Sequence, residues 1–226
     1  MNHATRAVLF DLDGTLVDSA PDIAAAINAA LSTASLGPLC VTAITPMLGA
    51  GARAAVERAL AACGNLPSPG LADEVHAAYI AAYEATPCAH TLPYRGAPEV
   101  LDSLIRTGWK LGVVTNKPHQ IARQVLDILG LTHRFDVVVG AQDGTPLKPD
   151  PAMIFIALKA LGVPPLQAIF VGDSKADVGA ARAARLRVIL LSHGYTALPA
   201  RELGADAVID HFDELTEAIA RVSSIP

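Results

Sequence analysis

From Tyr94 onward the sequence alternates short β-branched apolar runs with longer helical stretches, and no other feature restricts the possible folds so strongly. The pattern predicts helices over Glu99–Arg106, His119–Leu129, Pro151–Leu161, Asp177–Arg185 and Phe212–Val222. It predicts strands over Leu111–Val114, Val137–Val139, Ile169–Val171, Val188–Leu191 and Ala207–Ile209. Gly108 and Gly130 end two of the helices, Pro118 opens another, and Asp150-Pro151 reads as an N-cap followed by a first-turn proline. Strands alternating with helices imply parallel crossovers and helices on both faces of a sheet. The expected core is therefore α/β, a doubly wound parallel sheet of Rossmann-like type.

Between Ser19 and Pro93 the pattern changes. Asp22–Ala34, Ala52–Ala62 and Leu71–Glu84 are Ala-rich helical stretches with no strand signal between them. The expected division is a core of residues 1–18 and 90–226 and a helical insert of residues 19–89. Linkers are expected near Val17–Ser19 and Thr86–Pro93. The alternative is that these helices pack on the sheet as part of one domain.

The insert begins just after Val8-Leu9-Phe10 gives way to Asp11-Leu12-Asp13-Gly14. Ligands in open parallel sheets bind at the carboxyl ends of strands, so Asp11 is placed to act there as nucleophile or metal ligand. Asp13 lies just past it, placed for acid/base work. Alone, Asp-x-Asp-Gly also describes an acidic turn. Asp173 and Asp177 follow Ile169–Val171, at a spacing that suits one face of a helix start. Asp173 alone would read as an N-cap, the commoner role for a strand-end Asp. Oxygen-only donors point to Mg²⁺ rather than zinc. Thr115 and Asn116 end a strand, where hydroxyl and backbone N–H groups can bind phosphoryl oxygens or simply form a turn. Lys148 precedes a well-capped helix, a firm place for a cation facing phosphate.

Asp11-Leu12-Asp13-Gly14-Thr15-Leu16-Val17-Asp18-Ser19 resembles the first motif of the haloacid dehalogenase superfamily of phosphotransferases. Val113-Val114-Thr115-Asn116-Lys117, Lys148-Pro149-Asp150-Pro151 and Val171-Gly172-Asp173-Ser174-Lys175-Ala176-Asp177 match its other motifs in order. The resemblance covers nearly the whole chain and implies that the insert is a helical cap, able to close over substrate and exclude water. It implies that Asp11 forms an aspartyl-phosphate, while Asp13 protonates the leaving alkoxide and then takes a proton from water. It also implies Mg²⁺ held by Asp11, the main-chain carbonyl of Asp13 and Asp173, with Asp177 on the ion or one contact removed. Thr115, Asn116 and Lys148 then bind the phosphate.

Leu48-Gly49-Ala50-Gly51-Ala52-Arg53 opens a cap helix, where small residues can present backbone N–H groups to an anion or merely make a flexible entry loop. With Glu57-Arg58-Ala59-Leu60, Val114–Pro118 and His193-Gly194-Tyr195, this run is similar to bacterial phosphoglycolate phosphatases. Thr196 stands where that branch is expected to have Asn, and Arg53 resembles relatives acting on carboxylated sugar phosphates. Gly49, Gly51 and Arg53 are the expected substrate contacts in the cap. Arg53 faces the substrate's carboxylate in one reading and solvent in the other.

The expected function is Mg²⁺-dependent hydrolysis of a small phosphorylated metabolite, with 2-phosphoglycolate the leading substrate. The alternatives are a carboxylated amino-sugar phosphate, a phosphomutase, or a phosphate-binding module without turnover. A formal charge of −5 argues against nucleic acid or an anionic membrane as partner. Cys40, Cys63 and Cys88 are too scattered for a disulfide framework or a zinc site, and no leader is expected before the first strand. The expected location is therefore cytoplasmic, with the oligomeric state open between monomer and homodimer. His76, His90, His119 and His133 form no cluster, and Trp109 is expected to pack.

Overall fold

A strand buried on both faces must be apolar at successive positions, and alternate residues then feed opposite layers. That rule organises the computed structural model, which describes residues 6–64, 68–196 and 198–224. The first elements are β1 (Arg6–Phe10), β2 (Val17–Asp18), α1 (Ala20–Thr33), α2 (Val41–Ile44), α3 (Ala52–Ala62) and α4 (Pro69–Ala85). Next come β3 (Leu92–Pro93), α5 (Ala97–Arg106), β4 (Trp109–Pro118), α6 (His119–Ile128), β5 (Val137–Ala141) and α7 (Ala152–Leu161). β6 (Ala168–Gly172), α8 (Lys175–Ala183), β7 (Arg187–Leu191), β8 (Ala207–Ile209) and α9 (Leu215–Ser223) complete the chain order. Residues 1–5, where no leader is expected, and residues 65–67 of the insert lie outside the described residues.

The six-stranded sheet has the order β5-β4-β1-β6-β7-β8, with every neighbouring pair parallel. Val8 and Phe10 of β1, Ile169 and Val171 of β6, and Ile189 and Leu191 of β7 enter one hydrophobic layer, under α5, α6 and α9. Ala7, Leu9, Ala168, Phe170, Val188 and Leu190 enter the other, under α7 and α8. Chain order runs outward from β1 on both sides, so the strand order reverses beside β1. Such a reversal opens a crevice at the strands' carboxyl ends.

Helices α1, α3 and α4 build a separate apolar cluster around Ile27, Leu31, Val56, Leu60, Tyr79 and Tyr83, which also takes in Ile121 and Val125 of α6. The helical cap therefore rests on the core directly above the crevice. Its two linkers pair with each other, Val17 opposite Pro93 and Asp18 opposite Leu92, in antiparallel register. Asp22, in the first turn of α1, fixes the second linker. Its Oδ2 accepts from His90 N at 2.9 Å, Thr91 N at 2.8 Å and Thr91 Oγ1 at 2.6 Å.

Several element ends differ from expectation, each for a local reason. The strand expected over Leu111–Val114 extends to Trp109–Pro118, and the helix expected from Pro151 begins at Ala152. The N-cap position falls to Pro151 rather than Asp150, whose Oδ1 still accepts from Ala152 N at 2.8 Å. The helix expected from Asp177 starts at Lys175, because Ser174 supplies the N-cap and Asp177 completes a capping box with it. The closing helix splits into a 3-10 turn, Phe212–Glu214, and α9. Trp109 packs as expected, with the Arg6 guanidinium 4.3 Å from its ring centroid. No helix among the described residues is long and apolar enough to cross a membrane.

Candidate active site

Asp11 stands one residue beyond β1, and its N–H continues the sheet by donating to Val171 O at 2.9 Å. The chain then folds back sharply, with Gly14 N bonded to Val17 O at 3.0 Å. Gly14 (φ +80°) and Gly194 press on Asp173 from two sides. A Cβ at Gly14 would lie 2.7 Å from Asp173 Oδ2, and one at Gly194 would lie 2.1 Å from Asp173 Cβ. Only glycine lets both loops approach that carboxylate.

Asp11, Asp173 and Asp177 are buried, and each offers an oxygen within 4.8 Å of the others. Lys148 sits among them with its side chain almost wholly buried, Nζ 2.9 Å from Asp11 Oδ1 and 2.6 Å from Asp177 Oδ1. A third donor contact, to Val114 O at 2.9 Å, completes its ammonium. Burial opposes the charge on Lys148, but Asp11 and Asp177 outweigh it and hold its ammonium above the usual range. Burial pushes the Asp11 carboxyl up to about 6, although Lys148 pulls against that. Burial, then Asp177 and Asp11, push Asp173 well above the usual carboxylate range. Asp11 and Asp173 thus resist ionisation, and with Asp177 they offer hard oxygen donors only, which fits a divalent cation such as Mg²⁺.

The carboxylates are not equivalent. Asp173 accepts from Thr15 Oγ1 at 2.9 Å and from Tyr195 N at 2.8 Å. Asp177 spends Oδ1 on Lys148, while its Oδ2 accepts from Asp173 N, Ser174 N and Ser174 Oγ at 3.2, 3.0 and 2.6 Å. Asp177 thus braces the loop and Lys148, a geometry that favours one contact removed from an ion over direct ligation.

The third strand end is shaped by a break in register. β4 pairs with β5 at Val114–Val139 and next at Pro118–Ala141, so Thr115, Asn116 and Lys117 bulge out of the ladder toward the crevice. Thr115 is buried at the cavity wall. Asn116 does something the sequence did not suggest. Its Nδ2 donates to Gly49 O and Lys148 O, both at 3.0 Å, and its Oδ1 accepts from Lys148 N at 2.8 Å. The side chain therefore clamps the cap loop and the Lys148 loop together, leaving its backbone as the part placed for an anion.

Asp13 accepts on Oδ1 from Ser19 Oγ at 2.6 Å and from Lys117 Nζ at 2.8 Å. Lys117 carried no role in the sequence reading. Its side chain is 1% exposed, it also meets the Tyr83 hydroxyl of α4, and its Nζ is 4.3 Å from the Tyr83 ring centroid. The signal that could have found it is a lysine inside an otherwise apolar strand, where a charge needs a buried partner. The motif alone gives Tyr195 no role. Besides binding Asp173, its hydroxyl accepts from Ser19 N at 2.7 Å and donates to Asp18 Oδ1 at 2.8 Å, joining the first linker to the carboxylate loop.

In the cap, Gly49 and Gly51 (φ +93° at each) lie on the cavity wall, with Gly51 at the N-terminus of α3. Arg53 does not reach it. Its Nε bonds Glu57 Oε1 at 2.7 Å, its other arm meets Asp73 of α4, and its side chain is 41% exposed. The guanidinium lies on the outer surface of the cap, the solvent-facing one of the two readings of Arg53. Between cap and core lies a cavity of about 40 Å³, walled by Asp11, Asp13, Thr115 and Lys117 below and by Leu48, Gly49 and Tyr79 above.

With catalytic-type carboxylates and a lysine at the carboxyl ends of parallel strands, and a helical cap above them, the fold and site define a hydrolase class. The chain belongs to the haloacid dehalogenase-like hydrolase family, whose pattern residues 8–191 match. It is 39% identical over 215 residues to phosphoglycolate phosphatase from Cereibacter sphaeroides, covering 95% of this chain and 98% of that one. Phosphoglycolate phosphatase from Rhodospirillum rubrum is 42% identical over 218 residues, covering 93% and 89%. Among solved structures, a predicted phosphoglycolate phosphatase from Haemophilus somnus superposes with a TM-score of 0.87 at 29% identity, over 97% and 100% of the two chains. CbbY from Rhodobacter sphaeroides, solved in complex with phosphate, gives 0.80 at 26% identity, over 93% and 96%.

Proposed function

We propose that this phosphatase hydrolyses 2-phosphoglycolate through an aspartyl-phosphate on Asp11. The observation that carries the reading is the pairing of Asp11 and Asp13 on one small cavity between cap and core, with Lys148 fixed against Asp11. Leu12 N and Lys148 Nζ both contact Asp11 Oδ1, at 2.7 and 2.9 Å, which leaves Oδ2 to attack phosphorus. As the P–O ester bond breaks, Asp13 gives a proton to the leaving oxygen. Asp13 then takes a proton from the water that attacks the phosphoryl group, and Asp11 departs as carboxylate while inorganic phosphate is released. Asp11, Asp173 and the Asp13 carbonyl would hold Mg²⁺, which supplies charge neutralisation and orientation of the phosphate. Thr115 and the backbone after it would hold phosphoryl oxygens, and Lys148 would offset their charge.

Cavity size and relatedness support the substrate. A space of about 40 Å³ suits a molecule of few heavy atoms, far below the usual drug-sized pocket. Turnover on a panel of phosphate monoesters tests the reading. With Mg²⁺, 2-phosphoglycolate should be the best substrate; chelator should abolish release of phosphate, and Ca²⁺, with its looser coordination, should inhibit. A preference for a large sugar phosphate would remove the substrate assignment, and full activity in excess chelator would remove the metal.

Asp13→Ala separates the acid role from a merely structural one. Substrates with alkoxide leaving groups should slow by roughly 10²-fold or more, and activated aryl phosphates, which need little protonation, far less. Equal losses on both would take Asp13 out of proton transfer.

A further inference from the structure

With Arg53 held on the outside of the cap by Glu57 and Asp73, the end of the substrate remote from phosphate needs another partner. We propose that Lys117 is the specificity-determining residue that binds the substrate's carboxylate, an inference that rests on the phosphoglycolate reading above.

Three observations converge on it. First, among the described residues lining the cavity, Lys117 is the cationic one, since Lys148 Nζ is fully committed to Asp11, Asp177 and Val114 O. Second, its place matches the chemistry of the substrate. Asp13 must reach the leaving oxygen, and in 2-phosphoglycolate the carboxylate is attached to the very carbon that bears that oxygen. A cation 2.8 Å from Asp13 is therefore within reach of the carboxylate when the substrate turns that group toward β4 while Asp13 acts on the leaving oxygen. Third, the ammonium has three N–H donors, and its polar partners are Asp13 and the Tyr83 hydroxyl. One donor remains for a ligand.

The surroundings amplify such a contact. The lysine stem is almost wholly buried, and the Tyr83 ring lies against the ammonium. In so dry a place a charge-assisted bond is stronger than at the surface, and a substrate lacking the anion leaves the donor unmatched. Tyr83 belongs to α4 and Lys117 to β4, so the carboxylate would be read where cap and core meet.

The test compares 2-phosphoglycolate with ethyl phosphate, which has the same leaving oxygen and a methyl group in place of the carboxylate. Wild type should favour 2-phosphoglycolate in kcat/KM. Lys117→Met and Lys117→Gln should slow both substrates, because Asp13 loses a partner, but the ratio should fall by roughly 10–100-fold, mainly through KM. If both substrates lose by one common factor, Lys117 serves Asp13 alone and the proposal is overturned. If wild type shows no preference to begin with, the phosphoglycolate reading fails instead, which keeps the two failures distinct. A measurement on the wild-type protein covers the case of misfolded variants. The ammonium signals of ¹⁵N-lysine-labelled protein are followed with 3-phosphonopropionate and with propylphosphonate. Lys148 should respond to both, and a second buried lysine signal should shift with the carboxylated compound only; identical responses to the two would also overturn the assignment.

Discussion

Asp11→Asn should fold as the parent does and lose phosphate release by a factor of roughly 10⁴ or more. An amide oxygen can still accept from Leu12 N and Lys148 Nζ, which contact Asp11 Oδ1 at 2.7 and 2.9 Å, so the loop after β1 keeps its bonds. The amide nitrogen cannot attack phosphorus. The substitution also removes one member of a crowded carboxylate group whose ionisation burial already opposes. The metal-free variant should therefore be at least as heat-stable as the parent, which separates loss of chemistry from loss of fold. Rapid acid quenching with labelled substrate should leave phosphate on the parent protein and none on the variant. Labelled variant, or phosphate release near the parental rate, would place the nucleophile elsewhere.

Much of the core was legible because its signals are local. Apolar runs such as Ile169–Val171 and Val188–Leu191 can only be strands buried on both faces, and the intervening helices carry their own stops. α3 lies over Ala52–Ala62, as its pattern predicts. Ends were misread where side-chain capping decided them, as at Ser174, whose hydroxyl moves the start of α8 forward. The pairing of β2 with β3 was hidden for a different reason. Each strand is two residues long, and its partner lies across the whole cap.

The site divides along the same line. Asp11 and Asp173 are legible as strand-end residues and Lys148 as the residue before a capped helix, all in ordered motifs, and the fold brings them together. For Arg53 the sequence leaves substrate and solvent both open, because its fate depends on neighbours. Glu57, four residues on, was visible in the sequence as a helical ion-pair partner, but Asp73 comes from another helix. Lys117 and Asp13 are separated by 104 positions, and Tyr83 meets them from the cap, so no local pattern announces the group. Asn116 was placed at the site for its residue type, yet its amide is consumed by backbone on two loops. Composition can suggest which groups are available for chemistry, but tertiary bonds decide which remain available.

Lys148→Met should damage both stability and turnover, and by separable amounts. The stem keeps its length and still packs by Phe170, whose ring centroid is 5.3 Å from the ammonium in the parent. The charge is lost from between Asp11 and Asp177, and both carboxylates are buried. Breaking a buried pair by removing one partner typically costs about 3–5 kcal/mol, because the remaining charge has neither water nor counter-ion. For a chain of this size each kcal/mol moves the thermal midpoint by roughly 2–4 °C, so the metal-free variant should melt well below the parent. Mg²⁺ should recover part of that difference, since a cation on Asp11 and Asp173 relieves the same repulsion. Turnover should stay down by roughly 10²–10³-fold even with saturating Mg²⁺, because the charge facing the transferring phosphoryl group is still missing. Calorimetry with and without Mg²⁺, set beside kcat on 2-phosphoglycolate, reads both effects on one preparation. A variant that melts with the parent in chelator would show that Asp11 and Asp177 do not depend on Lys148 for their charge balance. One that turns over within tenfold of the parent would remove Lys148 from the transfer itself.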